Sequence, residues 1–234
     1  MLILAMDQST ERGSVALLRE ERVLDEMSWR DGRVHSRQLF DQLSALLERN
    51  SVGLLQIDCY AVGLGPGSYT GLRIAVSAAL GFALPDNRCV YGVSSAEALA
   101  EYSLADLGMS SAMVIGDARR HQLWARVFTL HEGHCSPASP WMLRQPEALA
   151  ECQASVWITP DWDRIGTILK AQVPANSLLI EEQRIPSAGA VGRAAFWRIR
   201  AAIPSEPLTP IYLHSAVAAA STTASSLRRN KIMA

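Results

Sequence analysis

Lysine is almost missing from this chain. Of its 22 basic residues only Lys170 and Lys231 are lysines, and the other 20 are arginines. Arginine suits phosphate and carboxylate recognition, but a GC-rich coding bias produces the same ratio, so no function is assigned to it. Net charge is missing too: it is −1 at pH 7, with charged residues at 19%. No overall field draws in nucleic acid or an anionic membrane, so any RNA contact must be local or supplied by a partner. Cysteine is sparse. Cys59, Cys89, Cys135 and Cys152 form no CxxC pair and each falls in a different predicted element; this suggests neither a zinc site nor a disulfide framework and fits a reducing compartment. There is also no uncharged apolar run of about 18 residues, and the apolar start at 1–6 meets Asp7 too early for a signal peptide's core. A cytoplasmic location with no membrane partner is the expectation.

What the chain does have is apolar material, 49% of its 234 residues, enough for one domain or two small lobes with real cores. The opening segment LILAMDQSTERGSVALLREERVLDEMSW reads as three strands joined by tight turns. A helix over 36–49 follows, with Leu39, Phe40, Leu43, Leu46 and Leu47 at three and four spacing and polar residues opposite. Next come a strand at 59–64, a glycine-rich loop, an apolar helix, a strand at 89–93, and a helix that Ser94 and Glu97 open with the spacing of a capping box. The segment AMVIGDARRHQLWARVFTL then repeats the beginning in miniature: apolar strand, aspartate (Asp117), tight turn, second strand. A hairpin turn at Glu132-Gly133, a helix opened by Pro146, a strand at 156–159, a helix at 162–170 and a strand at 177–180 complete the order. Two similar lobes with mixed sheets flanked by helices are expected, a first over 1–107 and a second over 108–214. Residues 215–234 read as a frayed tail.

The stretch GLGPGSYTGLRIAVSAALGFAL (63–84) combines a loop suited to anions with an unusually apolar helix. Unpaired amides at a helix start can cradle an anion. The loop nevertheless lacks the lysine of a GxxxxGK[ST] motif, and Ser68 stands where the third glycine of GxGxxG belongs. Either the glycines make a tight strand-to-helix turn, with Ser68 or Thr70 as cap and Pro66 stiffening the bend, or they hold an anion. From Leu72 to Leu84 only Arg73 and Ser77 are polar, which a surface helix of a small lobe should not tolerate unless a second protein covers it.

That stretch resembles the GPGS(F/Y)TG(L/V)R signature of the TsaB (YeaZ) family. LAMDQSTERGSVAL, HSRQL, GVSSAEALA, GDARRHQLWA and PIYLH resemble further segments of the family in the same order, from about residue 2 to 214. Gln8, Arg37 and His214 depart from it, standing where Thr, Glu and Arg are usual. The resemblance implies an actin-like, sugar-kinase-like (ASKHA) α/β fold of two ribonuclease H-like lobes. It also implies a non-catalytic subunit, without cofactor or metal of its own, required for threonylcarbamoylation of the adenosine beside the tRNA anticodon. Its partners would be a TsaD-type paralogue that carries the transferase and a TsaE-type ATPase, with tRNA met indirectly and a homodimer formed when it is alone.

The helix rather than the loop is then expected to carry the function. The interface candidates are Leu39, Phe40, Leu43 and Leu47 on one helix and Leu72, Arg73, Val76 and Leu80 on the next, pairing with their counterparts in a four-helix contact. The alternative is a small-molecule or acyl-phosphate kinase using Asp7 and Asp117. Asp7, Ser9 and Thr10 keep the hydroxyls of a phosphate hairpin without its glycine, and Asp117-Ala118-Arg119-Arg120 has neither Gly-Gly nor Thr, so the nucleotide site reads as vestigial. The close histidine pair, His131 and His134, flanks a turn with no third ligand and is expected to face solvent. His35 at the helix start is expected to act in capping, and no HExxH is present.

Overall fold

The computed structural model describes residues 1–30, 35–152 and 154–213. His214, the tail 215–234 and the side chains of His35 and Ser36 lie outside what is described, so the expectations placed on them go no further.

Strands β1 (Leu2–Asp7), β2 (Arg12–Arg19) and β3 (Arg22–Arg30) form an antiparallel meander. On the other side of β1, β4 (Cys59–Gly63) and β5 (Cys89–Val93) add in parallel, giving the order β3-β2-β1-β4-β5. The crossovers are helices, α1 (His35–Arg49) before β4 and α2 (Tyr69–Ala83) after it. Strand β1 is a continuous apolar run because both of its faces are covered. Leu4 and Met6 lie in the core under α1 and α2, while Ile3 and Ala5 lie in the core on the opposite face.

After α3 (Ser95–Leu107) the chain builds the same pattern again. Strands β6 (Ser111–Arg119), β7 (Gln122–His131) and β8 (His134–Pro137) are an antiparallel meander. A short β9 (Met142–Arg144) pairs with β7. Then β10 (Val156–Thr159), α4 (Trp162–Gln172) and β11 (Leu178–Gln183) follow, β10 and β11 parallel to β6, for the order β11-β10-β6-β7-β8. In each sheet the first strand is central, with its two antiparallel successors on one side and the two parallel strands on the other. This is the duplicated ribonuclease H-like lobe of the actin-like fold.

Two expectations need correction. Residues from Pro146 form a 3-10 turn, Pro146–Glu151, not an α-helix. More consequentially, helix α5 (Ala188–Arg200), which the sequence reading omitted, crosses back and packs on the first sheet, where Val191, Ala194, Ala195 and Phe196 join Ile3, Ala5, Ala16 and Leu18 in one core. Helix α3 does the reverse: Leu99, Ala100 and Leu104 pack with Ala112, Val114 and Phe128 of the second sheet. A cut at 107/108 therefore separates the two sheets but not the two packed units. Beyond α5 the chain runs along the first lobe, where Glu206 bridges to Gly92 and the Ile211 amide donates to the Leu64 carbonyl at 2.9 Å, before Leu213 packs against the core of the second sheet.

Candidate functional site: the interlobe cleft and the face of the first two helices

The cleft between the lobes encloses about 860 Å³ and is reached by Ser9 and Thr10, by the loop 66–70, by Asp117 and Arg119, by Asp161 and Arg164, and by Tyr212. The two aspartates of the kinase reading are already engaged, Asp117 in the lining of the cleft and Asp7 buried behind it. Asp7 is fully buried: its carboxylate accepts from the Ser9 amide at 2.8 Å, the Ser9 hydroxyl at 2.6 Å and the Ser95 hydroxyl at 2.5 Å. Burial pushes its pKa above the ordinary carboxylate value, against the pull of those hydrogen bonds. Asp117 accepts from the Arg119 amide at 2.8 Å and from its guanidinium at 3.0 Å, and Arg164 approaches it at 3.7 Å. The strand-end aspartate thus satisfies a turn amide, as such residues do. Arg119, Arg120 and His121 all have positive φ, a strained turn with no glycine to relieve it.

The glycine loop resolves as a joint. Ser68 caps α2, accepting from the Gly71 amide at 3.2 Å, and Thr70 is exposed. The Gly65 amide donates to the Ser95 hydroxyl at 2.9 Å and the Ser68 amide to the Ser9 carbonyl at 2.7 Å. A Cβ on Gly67 would stand 1.9 Å from the Ser9 carbonyl oxygen, and one on Gly71 would stand 2.2 Å from that of Gln8. These glycines let the start of α2 lie directly on the first hairpin, and the amides that an anion would need at Gly65 and Ser68 are spent inside the protein.

The second candidate region is the outer face of α1 and α2. Of the eight expected interface residues, five face inward: Leu39, Leu43, Leu47, Leu72 and Val76 are all under 9% exposed, and all of them but Leu72 belong to the core over the first sheet. Their spacing placed them on the apolar stripe, and the sheet covers that stripe itself. Phe40 and Leu80 are each 44% exposed, and Arg73 is exposed as well. Between the helices runs a groove of about 500 Å³ lined by Phe40, Ile74, Ser77, Ala78, Gly81 and Phe82, with Arg73 at one end. Phe40 meets Phe82 edge-on at 5.9 Å between ring centroids. The Arg73 guanidinium lies over the Tyr69 ring and hydrogen-bonds its hydroxyl. Leu55 and Leu84, 70% and 81% exposed, extend the apolar surface past the end of α2. Ile74, Ser77, Gly81 and Phe82 were missed, although each lies four residues from an interface candidate or from another groove residue on the same helix.

The chain matches, over residues 30–153, a little more than half its length, the family model described as "TsaD: tRNA N6-adenosine threonylcarbamoyltransferase". Its curated relatives include the tRNA threonylcarbamoyladenosine biosynthesis protein TsaB of Escherichia coli (strain K12), 28% identical over 71% of this chain and 71% of that protein. The TsaB of Haemophilus influenzae is 31% identical, over 53% of this chain and only about half, 52%, of that protein's length. Among solved structures, YeaZ from Pseudomonas aeruginosa superposes with a TM-score of 0.78 at 28% identity, covering 91% of this chain and 99% of that one. The chain belongs to this family, in its TsaB (YeaZ) branch. Within that frame the signature segment 65–73 is the joint between glycine loop and α2, and the family's D-A-R hairpin is the strained Asp117–Arg120 turn.

Two further observations complete the site. Among the described residues no group of three or more His, Cys, Asp or Glu is placed to hold a metal ion, and no helix is long and apolar enough to cross a membrane. His134 does not face solvent as expected. Its ring stacks on Trp197 of α5 at 4.0 Å, with Nδ1 3.8 Å from Glu101, and only His131 is exposed.

Proposed function

We propose that this chain is a subunit of the machinery for tRNA threonylcarbamoyladenosine biosynthesis. It does no chemistry itself and activates a TsaD-type transferase by docking it on the outer face of α1 and α2. The observation that carries this reading is the apolar groove between the two helices, lined by exposed Phe40, with Leu80 also exposed on the outer side of α2: a monomer gains nothing by leaving such a surface wet, and a matching helix pair would bury it. The region of the cleft supports it from the other side, because Asp7 is buried among hydroxyls and Asp117 is paired with arginines, so these two aspartates are not free to grip a magnesium nucleotide. On this reading a TsaE-type ATPase joins the pair in the cytoplasm, tRNA is met through the transferase, and the same face makes a homodimer when the partner is absent.

Leu80→Glu and Phe40→Glu test it. Each places a carboxylate where the interface would desolvate it, at a cost of several kcal/mol in the complex and little on a solvated surface. The expected result is a folded protein, by circular dichroism and melting, that no longer co-purifies with the TsaD-type paralogue and no longer supports threonylcarbamoylation in the reconstituted reaction. Normal assembly by a folded Leu80→Glu variant would place the interface elsewhere.

A further inference from the structure

Cys59 and Cys89 stand directly opposite one another on the parallel pair β4 and β5. Adjacent strands run about 4.8 Å apart, inside the Cα separation of roughly 4.4–6.8 Å that a disulfide spans. Both side chains point to the α5 face of the sheet, Cys59 in line with Ala61 and Cys89 in line with Tyr91 and Val93, which all belong to that core. The Cys59 thiol makes only a long contact, donating to the Tyr60 carbonyl at 3.8 Å. The two cysteines differ in access: Cys59 is 1% exposed, while Cys89 opens to solvent at the start of β5, the edge strand of its sheet.

We propose that Cys59 and Cys89 are a reversible thiol–disulfide pair, oxidised by a hydroperoxide that enters at Cys89. In the first step the Cys89 sulfur, as thiolate, attacks the peroxide: an S–O bond forms, the O–O bond breaks, and the departing alkoxide or hydroxide takes up a proton to leave as alcohol or water. The sulfenic acid so formed sits beside the buried thiol. In the second step the Cys59 sulfur attacks the Cys89 sulfur, the S–S bond forms and the S–O bond breaks. The hydroxide released takes the Cys59 proton and leaves as water. Two thiols give up two electrons and the peroxide accepts them, so the balance closes with no other reactant.

Burial pushes the Cys59 thiol well above its ordinary pKa, so it waits protonated and inert until an oxidised neighbour draws it in. A dithiol reductant reverses the bridge by attack at the exposed Cys89 sulfur. The other cysteines lack this arrangement. Cys135 lies in the core on one face of the second sheet and Cys152 packs against the core on the other. Closing the bridge ties together the two strands that bracket the glycine loop and α2, constrains the unfolded chain, and raises the melting temperature.

The test treats the full chain with one equivalent of hydrogen peroxide and follows intact mass, peptide maps and free thiols. The expected product is lighter by two hydrogens, has lost two of its four thiols, maps to a Cys59–Cys89 link, melts higher than the reduced protein, and reverts with dithiothreitol. Cys89→Ser should abolish the change. Cys59→Ala, used in place of a serine that its buried site tolerates poorly, should stop at a sulfenic acid on Cys89 that dimedone captures. A wild-type protein that keeps all its thiols overturns the proposal. So does one that gains oxygen on Cys89 without bridging, or one whose bridge involves Cys135 or Cys152.

Discussion

Asp7 closes β1 with its carboxylate inside a cage of hydroxyls, from Ser9 two residues on and from Ser95 at the start of α3. The sequence makes half of this arrangement readable, because an aspartate followed by Ser-Thr at a strand end announces a local turn. Ser95 could not be foreseen, since only the parallel placement of β5 beside β4 brings that helix start under β1. Removing the carboxylate leaves the Ser95 hydroxyl and the Ser9 amide without their acceptor in a dry site. Asp7→Ala should therefore cost about 2 kcal/mol in urea unfolding, and Asp7→Asn distinctly less, because the amide oxygen still accepts from the Ser9 N–H. If the site is vestigial, calorimetry with magnesium ATP should give a dissociation constant of about 1 mM or worse for the wild type and the Asn variant alike. Micromolar binding abolished by Asp7→Asn would revive the kinase reading.

At the scale of elements, α1 and α5 mark what a sequence pattern carries. Helix α1 has leucines at three and four spacing with charges between them, and it folds with Leu39, Leu43 and Leu46 under the sheet-facing side. Helix α5 opens on Ser-Ala-Gly-Ala-Val-Gly, a composition that reads as loop, since glycine is a poor helix former. Its glycines are there for contact. The absent side chain at Gly192 lets the helix sit on the first sheet, where a Cβ would stand 2.4 Å from Leu18 Cδ1 and 3.2 Å from the Ala5 Cβ. Propensity lost to packing that only the folded sheet creates. Gly192→Leu should accordingly lower stability by about 1–3 kcal/mol through overpacking, in spite of leucine's better helix propensity, measured as a shift in denaturant midpoint. A neutral or stabilising result would mean that α5 is not seated against β1 and β2 as described. The interface candidates were legible to the same degree: periodicity found the two helices and their apolar stripe but could not tell the rows facing the sheet from those facing outward, because α2 is apolar on both.

The molecule as a whole is held at the seam where α3 and α5 cross between lobes, and there the charges are buried. Glu97 on α3 is 2% exposed, with the Arg198 guanidinium of α5 at 3.5 Å and Glu206 on the far side of that arginine, also at 3.5 Å. Glu101 on the same helix and Arg126 of β7 complete its surroundings. Burial outweighs the nearby guanidinium, with Glu101 and Glu206 adding to it, and lifts the Glu97 pKa from 4.5 to about 7. The sequence could mark Glu97 only as the third position of a capping box, because its charged neighbours come from three other segments. An acid whose folded pKa lies above its unfolded value holds more protons when native, so its contribution is complete below about 4.5 and is lost as pH rises through 7. That loss amounts to about 3 kcal/mol at most. Glu101, raised by its own burial, acts in the same direction; His134, lowered by burial, acts in the opposite one, losing stability as pH falls below 6.5. Glu97→Gln isolates the first contribution, since it fixes the neutral form at every pH. Unfolding free energies measured from pH 4.5 to 8 should fall more steeply for the wild type than for the variant, with the two curves drawing apart mainly between pH 5 and 7. Parallel curves would mean that the Glu97 pKa is the same folded and unfolded, and a wild type that gains on the variant as pH rises would mean that Arg198 holds Glu97 ionised as an ordinary buried ion pair.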